Sequence, residues 1–405
     1  MEKEKRYSKS LVTVAVCISI AFFGISMYFW GAMLPIVRSQ IEGVDSLPWI
    51  LTLGIIIGTI VCGTFMDRYG YKWLLLLSCF AIGVGLLIFS FSRDFYLCIL
   101  SVLLIGGGGG VLNSETIAII SDLYDDSKRG MMLGILGGTY CLGSLLWTLI
   151  CRLWSDNPTI PIIGSSILIL LVTLLILFVK FPPAKVKQGE GLSFINILKL
   201  FKHEVLVVVS LVLFFQGIVE AISANFSTSY LTSYSDMSGI SGGITSKQAI
   251  SALIFMTVGM TIGRFSLSLF LKYLGNFTSL ILFLAVAFVG ALIQKFFPTN
   301  LTASILSMGF LGFGVGATSP IAFNYLGQIF KKYSGIAVSV VVMVAQLGML
   351  VGNYFVGKLF YPNNLESGAF KSFPIIMAIA IVIVVALFPL IIKSVKNHRS
   401  ELSDI

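Results

Sequence analysis

The chain has 405 residues, of which 57% are hydrophobic and 11% charged, with a formal net charge of +9 and a mean hydropathy of +0.98. A soluble domain carries about 25% charged residues, so composition excludes an ordinary soluble protein and points to a polytopic membrane protein whose apolar surface meets lipid. Six cysteines without a CxxC pair and two histidines in polar segments argue against a disulfide framework, a metal centre or a histidine-based catalytic site.

The N-terminal MEKEKRYSKS runs into an apolar stretch that continues past Trp30 to Val37 without a small-residue cleavage site, so it reads as an uncleaved first span over 10–37. Tyr28 and Trp30 there offer an aromatic platform for a ring-shaped solute or, equally, anchors at the membrane interface. Spans 2 and 3 follow at 46–66 and 72–91, joined by GTFMDRYGYK. In that loop Gly63 and Gly70 suit a tight turn, and Asp67, Arg68 and Lys72 form a charge cluster able to latch one helix packing and release it in another.

Span 4 (95–123) carries five consecutive glycines, Gly106 to Gly110, followed by Asn113 and Glu115. In a membrane, glycines let a neighbouring helix or a solute approach closely. A charge at mid-membrane costs about 2.5–3.5 kcal/mol on insertion scales, and a carboxyl escapes that cost by binding a proton. Glu115 is therefore a candidate proton carrier. It shares a face with Gly108 and Asp122, whereas Asn113 points about 200° away. Asn113 is a further candidate for solute contact, but the two cannot line a cavity equally. Glu115 is assigned to the cavity and Asn113 to a neighbouring helix. Spans 5 and 6 are expected at 130–152 and 160–180.

A polar link containing PPAKVKQGEG then divides the chain into a six-helix bundle over 1–181, a cytoplasmic linker over 182–203 and a six-helix bundle with a short tail over 204–405. Spans 7 to 12 are expected at 204–233, 248–271, 276–296, 300–329, 335–360 and 371–393. In span 7, Gln216 and Glu220 lie one turn apart. An amide and a carboxyl on one face suit hydroxyls that both donate and accept; the alternative is a protonated glutamate tying helices together. Asn225, Asn324, Gln346 and Asn353 are candidate hydroxyl ligands or helix–helix bonds. Arg264 in span 8 either closes the end of that span electrostatically or binds an anionic solute.

With the N-terminus in the cytoplasm, 19 of the 27 Lys and Arg residues fall on the cytoplasmic side, 7 on the other, and Arg264 within a span. That asymmetry supports the span count and the orientation, so the basic charge needs no nucleic acid. The halves also echo each other: IGGGGGVLNSETIAIISDLYDDSKRG at 105–130 matches FLGFGVGATSPIAFNYLGQIFKKYSG at 310–335, and TYCLGSLLWTL matches VAQLGMLVGNY. Parallel repeats of this kind are a transporter architecture with the site near mid-depth.

GTFMDRYGYK resembles the G-x-x-x-D-R-x-G-x-K signature of the major facilitator superfamily, matched at Gly63, Asp67, Arg68, Gly70 and Lys72. The chain further resembles the fucose–galactose–glucose/proton symporter group through the span 4–5 run, FFQGIVEAISANFSTSYL and GMTIGRFSLSLFLKYLG. The resemblance implies an all-α fold of 12 transmembrane helices in two bundles, and uptake of a small sugar with a proton. It matches Glu115 and Glu220 to membrane glutamates of the group. One departure stands out: the group's span 1 aspartate, four residues before a Leu-Pro step, falls here on Gly31.

The expected function is thus proton-coupled sugar import by rocking alternation, with no cofactor, no metal and no enzymatic activity. The expected partners are a small solute, a proton and the lipid bilayer, for a monomer in a bacterial inner membrane with both termini cytoplasmic. The chain also resembles the monocarboxylate and oxalate carriers at its span 8 arginine, which implies a carrier of small organic anions using Arg264 as one alternative; a proton-coupled exporter is the other, with a non-transporting sensor or scaffold as a different class.

Overall fold

The computed structural model describes residues 7–38, 40–92, 94–124, 126–182, 203–238, 243–329 and 334–403. Apart from its two end residues, the expected linker over 182–203 lies outside them. The described residues hold 12 stretches long and apolar enough to cross a membrane. The first bundle comprises α1 (Lys9–Val37), α2 (Leu47–Tyr69), α3 (Tyr71–Phe91), α4 (Phe95–Leu123), α5 (Asp126–Leu153) and α6 (Thr159–Ile176). The second comprises α7 (Glu204–Ser238), α8 (Ser246–Phe296), α9 (Leu301–Ile329), α10 (Ser334–Leu359), the short α11 (Pro362–Glu366) and α12 (Phe373–Ser403).

Two turns are tighter than the sequence suggested. The signature loop is almost entirely helical: α2 continues through Asp67 and Arg68 to Tyr69, and Gly70 alone, at φ 76° and ψ 165°, separates it from α3. In the second bundle Gly275 interrupts the 51-residue α8 at φ 73° and ψ 174°, so this one element supplies two apolar stretches long enough to span. Both glycines occupy a region of backbone space that is essentially closed to other residues.

The chain divides into two compact units. Unit 1 holds the described residues through Phe29 and from Ile36 to Pro182; unit 2 holds Trp30–Pro35 and the described residues from His203 onward. The α1 segment in unit 2 is tied there by Thr228 Oγ1, which donates to the Gly31 carbonyl at 2.7 Å, and by Ser246 Oγ, which donates to the Pro35 carbonyl at 3.3 Å.

Each unit is held by helices whose backbones touch through glycine. In unit 1, Gly58 abuts the Gly107 carbonyl, and Gly106 and Gly110 abut the carbonyls of Leu51 and Ile55, so no Cβ fits at any of them. In unit 2, Gly263 meets the Phe313 carbonyl, and Gly312 and Gly316 meet those of Met256 and Met260. Likewise Gly143 lies on Ala21, as Gly348 lies on Phe214. Ser101 Oγ donates to the Gly85 carbonyl at 2.7 Å, and Ser307 Oγ to the Gly290 carbonyl at 2.8 Å.

These pairs fix the internal repeat residue by residue. They match α2 to α8 and α5 to α10 at a spacing of 205, as in Gly58 with Gly263 and Gly143 with Gly348. They match α4 to α9 at 206, as in Gly106 with Gly312 and Ser101 with Ser307. The sequence alignment of α4 with α9 is thus corrected by one residue, because backbone contact rather than similarity of glycine runs sets the register.

The run at 106–110 now has its reason. Gly106 and Gly110 face α2, Gly108 faces Ser78 and Ile82 of α3, and Gly109 faces Phe23 and Ser26 of α1. One helix thus meets the backbones of α2 and α3 and the side chains of α1, all at positions where a Cβ would crowd its neighbour. Gly275→Ala should lower the thermal midpoint of the purified protein. A Cβ at 275 meets nothing within 4 Å, so the loss reports backbone strain alone, about 1–3 kcal/mol. Gly134→Ala, equally open but within helical α5, should leave the midpoint unchanged or raise it.

Candidate functional site

In unit 2 the α7–α10 crossing is set by Gly217 against the Ala345 carbonyl and Gly348 against the Phe214 carbonyl. This close seam brings the polar residues of both helices to one level. Gln216 Nε2 donates to the Val315 carbonyl of α9 at 3.0 Å. The next residue of α9, Gly316, leaves the space that the Arg264 stem fills: a Cβ at 316 would lie 3.4 Å from Arg264 Cγ. Glu220, one turn beyond Gln216, is enclosed by protein, keeps an accessible edge and interacts electrostatically with Arg264.

The buried amides of α7 and α10 are incompletely used. Gln216 Oε1, Asn225 Oδ1 and Gln346 Oε1 are buried and accept no hydrogen bond among the described residues. Asn225 Nδ2 donates to Asn353 Oδ1 at 3.2 Å, so these two amides are partly spent on joining α7 to α10. Tyr28 and Trp30 are fully buried, which takes both rings away from the membrane interface. Asn324 lies in α9, with its side chain outside the described residues.

Glu115 is placed differently from the expectation. The face of α4 bearing Gly108, Glu115 and Asp122 is turned to α3, inside unit 1. Gly108 packs on Ser78, and Tyr71 Oη donates to Asp122 Oδ2 at 2.5 Å. Glu115 is fully buried near the Leu75 backbone and the Cys79 thiol, and neither carboxyl oxygen has a hydrogen-bond partner among the described residues. Asn113 keeps partial exposure. Heptad spacing identified a shared face correctly but could not say which helix covers it.

Within the signature, Lys72 Nζ donates to the Leu177 carbonyl just past α6 at 2.6 Å. The surroundings of Gly63, Asp67 and Arg68 lie outside the described side chains. Tyr71, in a variable position of the motif, was missed by motif reading; its bond to Asp122 joins α3 to α4. Gly31 explains the missing aspartate of span 1, since it sits on the Ala224 carbonyl of α7 and no Cβ fits there.

A groove of about 410 Å³ lined by Phe255, Val258, Ile262, Phe310 and other apolar residues lies elsewhere in unit 2. Several of its lining residues are exposed on the outer surface, and it offers no polar group to a solute.

Residues 14–353 match the family model of the Major Facilitator Superfamily. An MFS-type transporter of Aspergillus niger, pynF, is 27% identical over 351 residues, covering 83% of this chain and 78% of the relative. The structure of the nucleoside transporter NupG aligns with a TM-score of 0.75 at 13% identity, covering 93% of this chain and all of that one. That of a D-xylose-proton symporter aligns with a TM-score of 0.72 at 16% identity, covering 92% and 96%. At such identities the two structures share the fold alone.

The Asn225–Asn353 contact should give a coupling of about 0.6 kcal/mol, and no more than about 1.7 kcal/mol. A double-mutant cycle on thermal stability with Asn225→Leu and Asn353→Leu measures it; a coupling of zero would mean that the bond contributes nothing.

Proposed function

The chain belongs to the Major Facilitator Superfamily and is a transporter, and from that premise we propose that it imports a small polyhydroxylated solute of the sugar class together with a proton, by alternating access. One observation carries this reading: in unit 2 Glu220 interacts with Arg264 close to Gln216, whose buried amide oxygen, like that of Gln346 in α10, accepts no hydrogen bond among the described residues. An unpaired buried acceptor costs about 1–3 kcal/mol, a cost that solute hydroxyls would relieve by donating. A carboxyl able to hold or release a proton supplies the coupling.

Two proteins of like fold, the nucleoside transporter and the D-xylose-proton symporter, are named for hydroxyl-rich solutes, one of them with a proton. Glu115 serves as a second proton-holding acid, acting inside unit 1 without touching solute. Gly63, Asp67, Arg68, Gly70 and Lys72 act as the conformational latch; the Lys72 bond to Leu177 supports the part that is described. The excess of Lys and Arg on one side supports cytoplasmic termini.

The reading is tested in proteoliposomes by adding sugars and following external pH. Wild type should alkalinise the outside medium as solute enters. Glu220→Gln should abolish accumulation driven by a pH gradient while preserving solute exchange. Gln216→Leu and Gln346→Leu should each raise KM about tenfold, the scale of one hydrogen bond near 1.4 kcal/mol. Solute flux without proton movement, unaltered in Glu220→Gln and Glu115→Gln, would overturn the proton coupling.

A further inference from the structure

We infer that α7 carries a second solute station, formed by Ser227 and Tyr230 and lying beyond Glu220 toward the C-terminal end of the helix. Its ligand is a neutral polyhydroxylated molecule, the sugar-class solute proposed above, held there in addition to the one at Gln216 and Glu220. The inference rests on that reading and extends it along the helix.

Helix geometry places the station. Gln216, Glu220, Ser223, Ser227, Tyr230 and Tyr234 follow one another at steps of four and three residues, so they form one stripe along α7. Nine of the thirteen residues from Ser223 to Ser235 carry hydroxyls, and several of these are spent inside the protein. Ser223 Oγ donates to the Val219 carbonyl at 2.5 Å, and Thr232 Oγ1 to the Thr228 carbonyl at 3.3 Å. Thr228 is taken up by Gly31, and Ser235 Oγ accepts from the Ile244 amide at 2.8 Å. Ser227 Oγ and Tyr230 Oη are buried and have no hydrogen-bond partner among the described residues. A helical serine can bond the carbonyl four residues back, as Ser223 does; Ser227 does not, and its hydroxyl stays available. Ser229, unpaired as well, lies on the side of α7 that bears Asn225.

Two observations separate these hydroxyls from the packing. The Tyr230 ring is held by its neighbours, with its centroid 5.4 Å from that of Phe373 in α12, 6.1 Å from Phe370 just before it and 5.8 Å from Tyr234. A phenylalanine would make the same ring contacts, whereas a buried tyrosine ordinarily finds a partner for its hydroxyl. The internal repeat supplies the second. Helices α1 and α7 correspond at a spacing of 193: Ala21 and Phe214 lie against Gly143 and Gly348, and Gly24 and Gly217 against Tyr140 and Ala345. At that spacing Leu34 stands in the place of Ser227 and Val37 in that of Tyr230, both fully buried. Helix α1 closes this level with aliphatic side chains, so the frame does not need hydroxyls there.

From Ala221 to Ser235 α7 holds no charged side chain, so the station suits a neutral molecule. Each hydroxyl both donates and accepts, and so pairs with a solute hydroxyl in either sense. The midpoint of Ser227 and Tyr230 lies about 15 Å along the axis from that of Gln216 and Glu220. That is more than the width of one pyranose ring, so each station takes its own sugar. With the start of α7 on the cytoplasmic side, as proposed, an entering solute meets Ser227 and Tyr230 before it reaches Glu220.

The test uses the full chain, in nanodiscs for binding and in proteoliposomes for flux, with radiolabelled D-xylose, D-glucose and D-galactose. Equilibrium dialysis of wild type should find two molecules of the transported sugar per chain at saturation. Tyr230→Phe and Ser227→Ala should each weaken one of the two about tenfold, the scale of one lost hydrogen bond, and leave the other unchanged. Gln216→Leu should do the reverse. Because Tyr230→Phe and Ser227→Ala each replace an unpaired buried hydroxyl by an apolar group, both should keep or raise the wild-type thermal midpoint.

One sugar per chain, in a wild type that transports it, would overturn this inference and leave the sugar-class reading standing. Unaltered sugar binding in both Tyr230→Phe and Ser227→Ala would overturn it too, and a fall in their thermal midpoints would then assign the hydroxyls to helix packing. Binding and flux of none of the three sugars would overturn both readings.

Discussion

Glycine-mediated contact between helix backbones is the constraint from which the rest of the structure follows. In lipid there is little hydrophobic gain from pairing two apolar helices, so association depends on close packing. Here several close approaches put one backbone directly on another, among them Gly58 on Gly107, Gly143 on Ala21, Gly217 on Ala345 and Gly263 on Phe313. Because these contacts involve backbone rather than side chains, they leave the remaining positions free to vary. The two units use the same seams and fill the intervening positions differently. Their kinship is plainer in the spacing of glycine contacts than in residue identity.

That freedom has been used unequally. The level of α7 to α9 near Gln216, Glu220 and Arg264 is polar, whereas the matching positions of unit 1, 193 residues earlier for α7 (as Ala21 matches Phe214) and 205 earlier for α8, are Phe23, Met27 and Thr59. Unit 1 has its own buried acid, Glu115, on a face turned to α3 and near Cys79, whose thiol lies 3.7 Å from Ser19 Oγ. One unit thus carries its polar load where α7, α8 and α9 converge, and the other carries it inside the helix bundle.

Much of this was legible in the sequence. Apolar runs of about 20 residues mark spans plainly, and α4 and α9 begin and end within a residue of the expected bounds. Glu220, Gln216 and Arg264 stood out because polar groups are costly in such runs. The orientation of α4 was not legible. A soluble helix shows its buried face by the contrast of apolar and polar residues, but a membrane helix flanked by lipid and protein shows little contrast, and five glycines give no face a preference. Nor could spacing within α10 reveal that Asn353 meets Asn225, since a helix's own periodicity does not name its neighbour. A tight turn at Gly70 was legible but its shortness was not, because charged residues at helix ends resemble loop residues until the backbone is seen.

Gly31 has an evolutionary consequence. Glycine and aspartate codons differ by a single base, so an acid at this place in α1 is a short step genetically. The Ala224 carbonyl of α7 closes that step sterically. A lineage with this packing can acquire or lose an acid on α7 or α8 by point mutation, but it reaches one at position 31 only after α1 and α7 have moved apart. The close contact therefore acts as a ratchet on which helix can hold a membrane acid: α7 and α8 stay open to one, and position 31 of α1 does not.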